Sequence, residues 1–123
     1  MLLKDFYSIE KLEKTDEGKY MASIFLNSAH AIFKGHFPGN PVTPGVCMMQ
    51  IIKELTQKIL ESSLVMTSSS NVKFMALINP EKNPSLQLEL EISGDLATEI
   101  KVKATTMFDT TVALKLTNVY KKA

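Results

Sequence analysis

The sequence predicts an α+β domain in which a strongly curved antiparallel sheet wraps around one long helix. Three observations point there. Four segments in the second half alternate apolar and polar residues with a period of two, the mark of half-buried strands. One uninterrupted stretch carries apolar residues at helical spacing. Two further strand-like segments precede it, so a single helix must serve six strands, and a curved sheet is the economical way to bury it.

Taken in order, "DFYSIEKLEK" and "KYMASIFLN" flank "TDEG" and predict a first hairpin with Gly18 at its turn. The helix is expected over roughly Pro44 to Glu61, with Thr43 as N-cap and Pro44 in the first turn. Met48, Ile52, Leu55 and Ile59 define its buried stripe, and Gln50, Glu54, Gln57 and Glu61 share the other side. In "ESSLVMTSSSN" the run of serines predicts a mobile connection. Strands follow in "NVKFMALI" (Val72, Phe74, Ala76, Ile78), "LQLELEI" (Leu86, Leu88, Leu90, Ile92), "EIKVKATTMF" (Ile100, Val102, Ala104) and "TVALKLTNVY" (Val112, Leu114, Leu116). Breaks at "NPEKNP", "SGD" and "FDTT" are turn chemistry and imply antiparallel neighbours. No repeat or linker divides residues 1–123, so one domain is expected, with leftover sheet edge covered by a second copy.

Composition narrows the function. At 123 residues and 45% hydrophobic content the chain can build its own core without staples. Its lone Cys47 cannot form an internal disulfide, which suits a reducing compartment. "MLLKDFYSIEKLEK" meets charge within four residues, and no apolar run is long enough to span a bilayer, so a cytoplasmic protein away from the membrane is expected. A net charge of +1 with both signs interspersed offers no field to gather nucleic acid. Every basic residue is lysine, so the bidentate guanidinium fork for phosphate is missing. His30 and His36 lack Cys or acidic partners at ligand spacing, and no metal site is expected.

The chemistry concentrates in "GHFPGNPVTPGV", Gly35 to Val46, which holds three of the five prolines and three of the five glycines and runs into the apolar helix. This stretch resembles the signature of the hotdog-fold 3-hydroxyacyl-[acyl-carrier-protein] dehydratases, H-F-P-G-x-P-V-x-P-G-V opening the central helix. "NVKFMALINPEKNPSLQLELEI" resembles the family's strand, turn and strand after that helix, and the order of elements is the hotdog order. The resemblance implies a lyase that removes water from a 3-hydroxyacyl thioester to give the trans-2-enoyl thioester in fatty acid or related acyl-chain biosynthesis. It implies no dissociable cofactor, an acyl carrier protein as the partner that delivers the chain, and at least a homodimer or hetero-oligomer.

Such an elimination needs a base for the C2 proton, an acid for the departing C3 hydroxyl, and donors for charge on the thioester oxygen. By resemblance His36 is the base, a residue type whose ordinary pKa of about 6.5 suits the task. Gly45 and Val46, at the positive end of the helix, are the expected backbone donors, with Phe37 and Pro38 against the substrate. Pro38, Pro41 and Pro44 restrict the loop before folding and hold the histidine near the helix start.

One position departs from the pattern. The family carries a carboxylate fourteen residues beyond the histidine, and Gln50 stands there. An amide cannot give up and regain a proton near neutral pH. Glu54, one turn or about 5.4 Å along, occupies a position where many relatives have glutamine, as though the two had exchanged places. Two alternatives follow: Glu54 supplies the acid while Gln50 orients substrate or water, or the chain is an acyl-binding or partner subunit that kept the loop and lost the acid. A hotdog thioesterase is a third reading, for which Gln50 offers nothing to activate water. His30 reads as structural and Cys47 as a small apolar residue. Met48, Met49, Met66 and Met75 fit either an acyl channel or ordinary core, and Lys34, Lys53 and Lys73 either an acidic partner or plain solvated surface.

Overall fold

The computed structural model describes residues 5–123; the first four residues of "MLLKDFYSIEKLEK" lie outside them. Its elements run β1 (Tyr7–Asp16), β2 (Lys19–Leu26), α1 (Ile32–Gly35), α2 (Gly45–Leu60), β3 (Leu64–Phe74), β4 (Ser85–Gly94), β5 (Ile100–Phe108) and β6 (Thr111–Lys122). The six strands form one antiparallel sheet in the order β1-β2-β4-β5-β6-β3, with α2 as the long helix packed against it. This is the hotdog arrangement expected from the loop.

Alternation builds the core. Leu86, Leu88 and Leu90 of β4, Ile100, Val102 and Ala104 of β5, and Leu114, Leu116 and Tyr120 of β6 are buried, while Gln87, Glu89, Glu91, Lys101 and Lys103 between them are exposed. They join one cluster with Cys47, Met48, Ile51, Ile52 and Leu55 of α2. Each large aliphatic side chain so buried contributes about 1.5–3 kcal/mol against the entropy of ordering it. One sheet face is thus dry and the other wet, as an antiparallel sheet permits. At the β1–β2 turn Gly18 takes φ +71°, and a Cβ there would lie 2.8 Å from the Ile92 carbonyl oxygen. That close approach, with the Ile92 N–H donating to Gly18 O at 2.7 Å, seats the hairpin beside β4.

Four local expectations are corrected. The serines of "TSSSN" lie in β3 and pair with Val119, Asn118 and Thr117 of β6, because ladder hydrogen bonds to a long neighbouring strand outweigh weak strand propensity. The same strand ends at Phe74, so Ala76 and Ile78 lie beyond it in irregular backbone. A register shift at Met107 puts the adjacent Ala113 and Leu114 both inside and leaves Val112 half-buried. Finally, Pro44 is the N-cap of α2, and the Thr43 hydroxyl is buried with no hydrogen-bond partner among the described residues. The helix ends on Glu61 at φ 52°, and the half-buried Gln57 accepts the Leu64 N–H at 2.8 Å and ties the helix end to β3.

Candidate functional site

The loop before α2 is anchored from both ends. In α1 the buried Phe33 stacks on Phe6 at 5.1 Å, and Phe6 meets His30 edge-on at 5.2 Å, so His30 packs into this anchor. At the other end Thr43 N–H donates to Ile78 O at 2.9 Å, fastening the loop to the segment after β3. Between them Val42 N–H donates to His36 O at 2.9 Å, and His36 Nδ1 lies 3.1 Å from Val42 O. A carbonyl oxygen only accepts, so Nδ1 carries the proton in this contact and Nε2 is left as the basic nitrogen. The Phe37 ring stacks on the imidazole at 4.2 Å and 23°.

His36 and Phe37 open on a hollow of about 540 Å³, walled by Thr43 and Gly45 on one side and Phe74, Met75 and Leu77 on the other. Among the residues lining it His36 alone is titratable. At the start of α2 the N–H groups of Cys47 and Met48 both reach Pro44 O, at 3.0 and 3.2 Å. Those of Gly45 and Val46 meet no acceptor among the described residues; Gly45 lines this hollow and Val46 a neighbouring one. Gly45 also has a steric reason to be glycine: a Cβ there would sit 2.6 Å from Cζ of the Phe74 ring that covers it.

Gln50 and Glu54 are placed elsewhere in the protomer. Gln50 borders a second, smaller hollow of about 310 Å³ with Val46, Met49, Lys53, Met66 and Tyr120. Its Nε2 donates to Glu54 Oε2 at 3.0 Å, and Tyr7 OH donates to Glu54 Oε1 at 2.9 Å. Both carboxylate oxygens are therefore engaged, and Glu54 lines neither hollow. Burial, then the hydrogen bond to Glu54, pushes the Tyr7 phenol well above its ordinary pKa, so it stays a donor. Burial likewise raises the Cys47 thiol, which fits an inert apolar role. Pro38 is exposed and outside both linings. Of the methionines, Met75 lines the first hollow, Met49 and Met66 the second, and Met48 is core. Lys53 borders the second hollow, whereas Lys34 and Lys73 are exposed.

Sequence reasoning passed over Tyr7 and the covering role of Phe74, and read Thr43 only as a helix cap. Phe74 was legible only as a strand residue, because the run through Ile78 reads as one continuous strand. Tyr7 gave no signal, since a lone tyrosine 47 positions from Glu54 carries no local pattern.

An antiparallel sheet around one long helix, with a histidine loop fastened at the helix start, defines a hotdog protein of the dehydratase type. The family profile for ApeI dehydratase matches residues 12–112, and the chain belongs to this ApeI-like family. The curated 3-hydroxyacyl-[acyl-carrier-protein] dehydratase FabZ of Zymomonas mobilis is 32% identical over 88 residues, 66% of this chain and 56% of that protein, little more than half its length. Its namesake from Lactobacillus helveticus is 27% identical over 114 residues, 84% of this chain and 77% of the relative. Among solved structures, the dehydratase heterocomplex ApeI:P from Xenorhabdus doucetiae superposes with a TM-score of 0.75 at 21% identity, covering 94% of this chain and 97% of the other, a likeness of fold. No helix among the described residues is long and apolar enough to cross a membrane.

Proposed function

We propose that this chain is a hydro-lyase that converts a 3-hydroxyacyl thioester, delivered on an acyl carrier protein, into the trans-2-enoyl thioester and water. The observation that carries this reading is the imidazole of His36, fixed by Val42 as the sole titratable side chain of a hollow that is also lined by Gly45, whose helix-start amide is unengaged among the described residues. Nε2 takes the C2 proton while the charge passing to the thioester oxygen is met by the Gly45 and Val46 N–H groups. The C2–C3 double bond then forms, the C3–O bond breaks, and the proton on Nε2 leaves with the hydroxyl as water. Imidazole is regenerated and no second acid is required, which accommodates Gln50 at the family's carboxylate position.

A second reading draws on two observations. The open edge strand β3 and its continuation expose Val65, Met66, Phe74, Met75 and Leu77, the last 74% accessible, and Gln50 supplies no acid. In this reading a related hotdog chain covers that strip and contributes the missing carboxylate, so the chain works within a hetero-oligomer. The purified protein, given a 3-hydroxyacyl carrier-protein thioester while conjugated-enoyl absorbance is followed, separates the two. Turnover alone, lost in His36→Ala, establishes the lyase. Turnover appearing only on mixing with a related dehydratase subunit establishes the partner, and release of free thiol without enoyl product would replace both with thioester hydrolysis.

A further inference from the structure

We propose that Phe37 is a positioning residue, held by a tight turn so that its ring lies on the face of the His36 imidazole and keeps it in the tautomer that leaves Nε2 as the base. The inference rests on the dehydratase reading and gives a role to Pro38, Gly39 and Asn40. Two directional contacts hold the imidazole among the described residues: Nδ1 lies 3.1 Å from Val42 O at its edge, and the Phe37 ring lies 4.2 Å away and 23° from parallel on its face. They do different things. The edge contact selects between two ring orientations related by a half-turn, and the hydrogen bond one nitrogen makes decides where the proton sits. A contact at a single atom still lets the ring plane tilt, and a tilted N–H loses its alignment with the carbonyl, which weakens the bond steeply. The face contact removes that tilt. Its support is built locally. Asn40 N–H donates to Phe37 O at 3.0 Å and Phe37 N–H to Asn40 O at 3.2 Å, so the turn is closed from both ends. Pro38 at its second position and Gly39 at φ +72° at its third are the residues of a type II turn. A Cβ on Gly39 would meet nothing within 4 Å, so glycine stands there for backbone conformation and not for space. The stack also strengthens as the reaction proceeds. Once Nε2 has taken the C2 proton the ring is a cation, which an aromatic face attracts more than it does a neutral ring.

Two measurements on the full chain test this. Ring-nitrogen chemical shifts of isotope-labelled protein at about pH 9, where histidine is ordinarily neutral, show which His36 nitrogen holds the proton. Steady-state kinetics with the 3-hydroxyoctanoyl thioester of N-acetylcysteamine give kcat and KM separately. Phe37 is 51% exposed, so leucine in its place keeps apolar bulk at little cost in packing. Phe37→Leu should shrink the population protonated on Nδ1 and lower kcat about 10- to 100-fold, with KM within about 3-fold of the parent. Phe37→Tyr, which restores a ring for the stack, should recover most of that loss. Gly39→Val, which opposes the positive φ, should act in the same direction as Phe37→Leu, and the double variant should be no worse than Phe37→Leu because both act on one contact. Where Phe37→Leu does not fold, Phe37→Met takes its place. A parental proton distribution in the leucine or methionine variant, a loss carried by KM alone, or a tyrosine variant as impaired as the leucine one would overturn the proposal. If the wild type turns over no substrate, the dehydratase reading falls, and the nitrogen shifts decide for or against Phe37 by themselves.

Discussion

Gly45→Ala tests whether the Phe74 ring and the helix start act as one wall. The added methyl would approach Phe74 Cζ to 2.6 Å, whereas ordinary contact begins near 3.4 Å, so the ring must withdraw by about 0.8 Å. Phe74 is 57% exposed and can swing outward at little cost in packing. Helix propensity favours alanine by up to about 1 kcal/mol, less at a first-turn position, so the two effects nearly cancel and stability should stay within about 1 kcal/mol of the parent. Function should suffer more. The ring lies against Gly45, whose amide is one of the expected donors, and a displacement of this size near reacting atoms costs on the order of 10²-fold in kcat/KM. Urea unfolding gives the first quantity and the enoyl assay the second. Gly45→Ala/Phe74→Ala should recover part of the rate, since the smaller side chain no longer has to be displaced. A variant with a parental midpoint and parental kcat/KM, or a loss of several kcal/mol in stability, would refute the reasoning.

Two predictions concern the scaffold. Leu55→Ala removes a side chain with no accessible surface from the helix–sheet contact and should cost about 2–5 kcal/mol by urea unfolding, while a cost under 1 kcal/mol would mean that the helix is not seated as described. Stability should also decline on the alkaline side: burial raises the Tyr7, Cys47 and Tyr120 groups above their ordinary values of 10.0, 9.0 and 10.0. Above those ordinary values the unfolded chain gives up protons that the native chain retains, so ν_U falls below ν_N and the stability present at neutral pH is lost as pH rises. Thermal midpoints from pH 8 to 11 should fall, and Tyr7→Phe should show a shallower decline; identical slopes would remove Tyr7 from that linkage.

Much of this protein was legible in the sequence because much of it is local. Period-two alternation marked Leu86, Leu88 and Leu90 as one face of a strand, and helical spacing marked Met48, Ile52 and Leu55 as another, since backbone geometry turns spacing directly into a side. The loop from Gly35 to Val46 announced itself because its prolines and glycines fix backbone shape within a few residues. What alternation reports is which face is dry, and it is silent on which strand lies beside it. Only the folded chain placed β3 against β6, which turned a serine run into paired strand, and only it swung Phe74 over Gly45 and carried Tyr7 to Glu54. Those contacts join distant parts of the chain, and their formation depends on the sheet closing around the helix, a cooperative outcome that no local run of residues encodes.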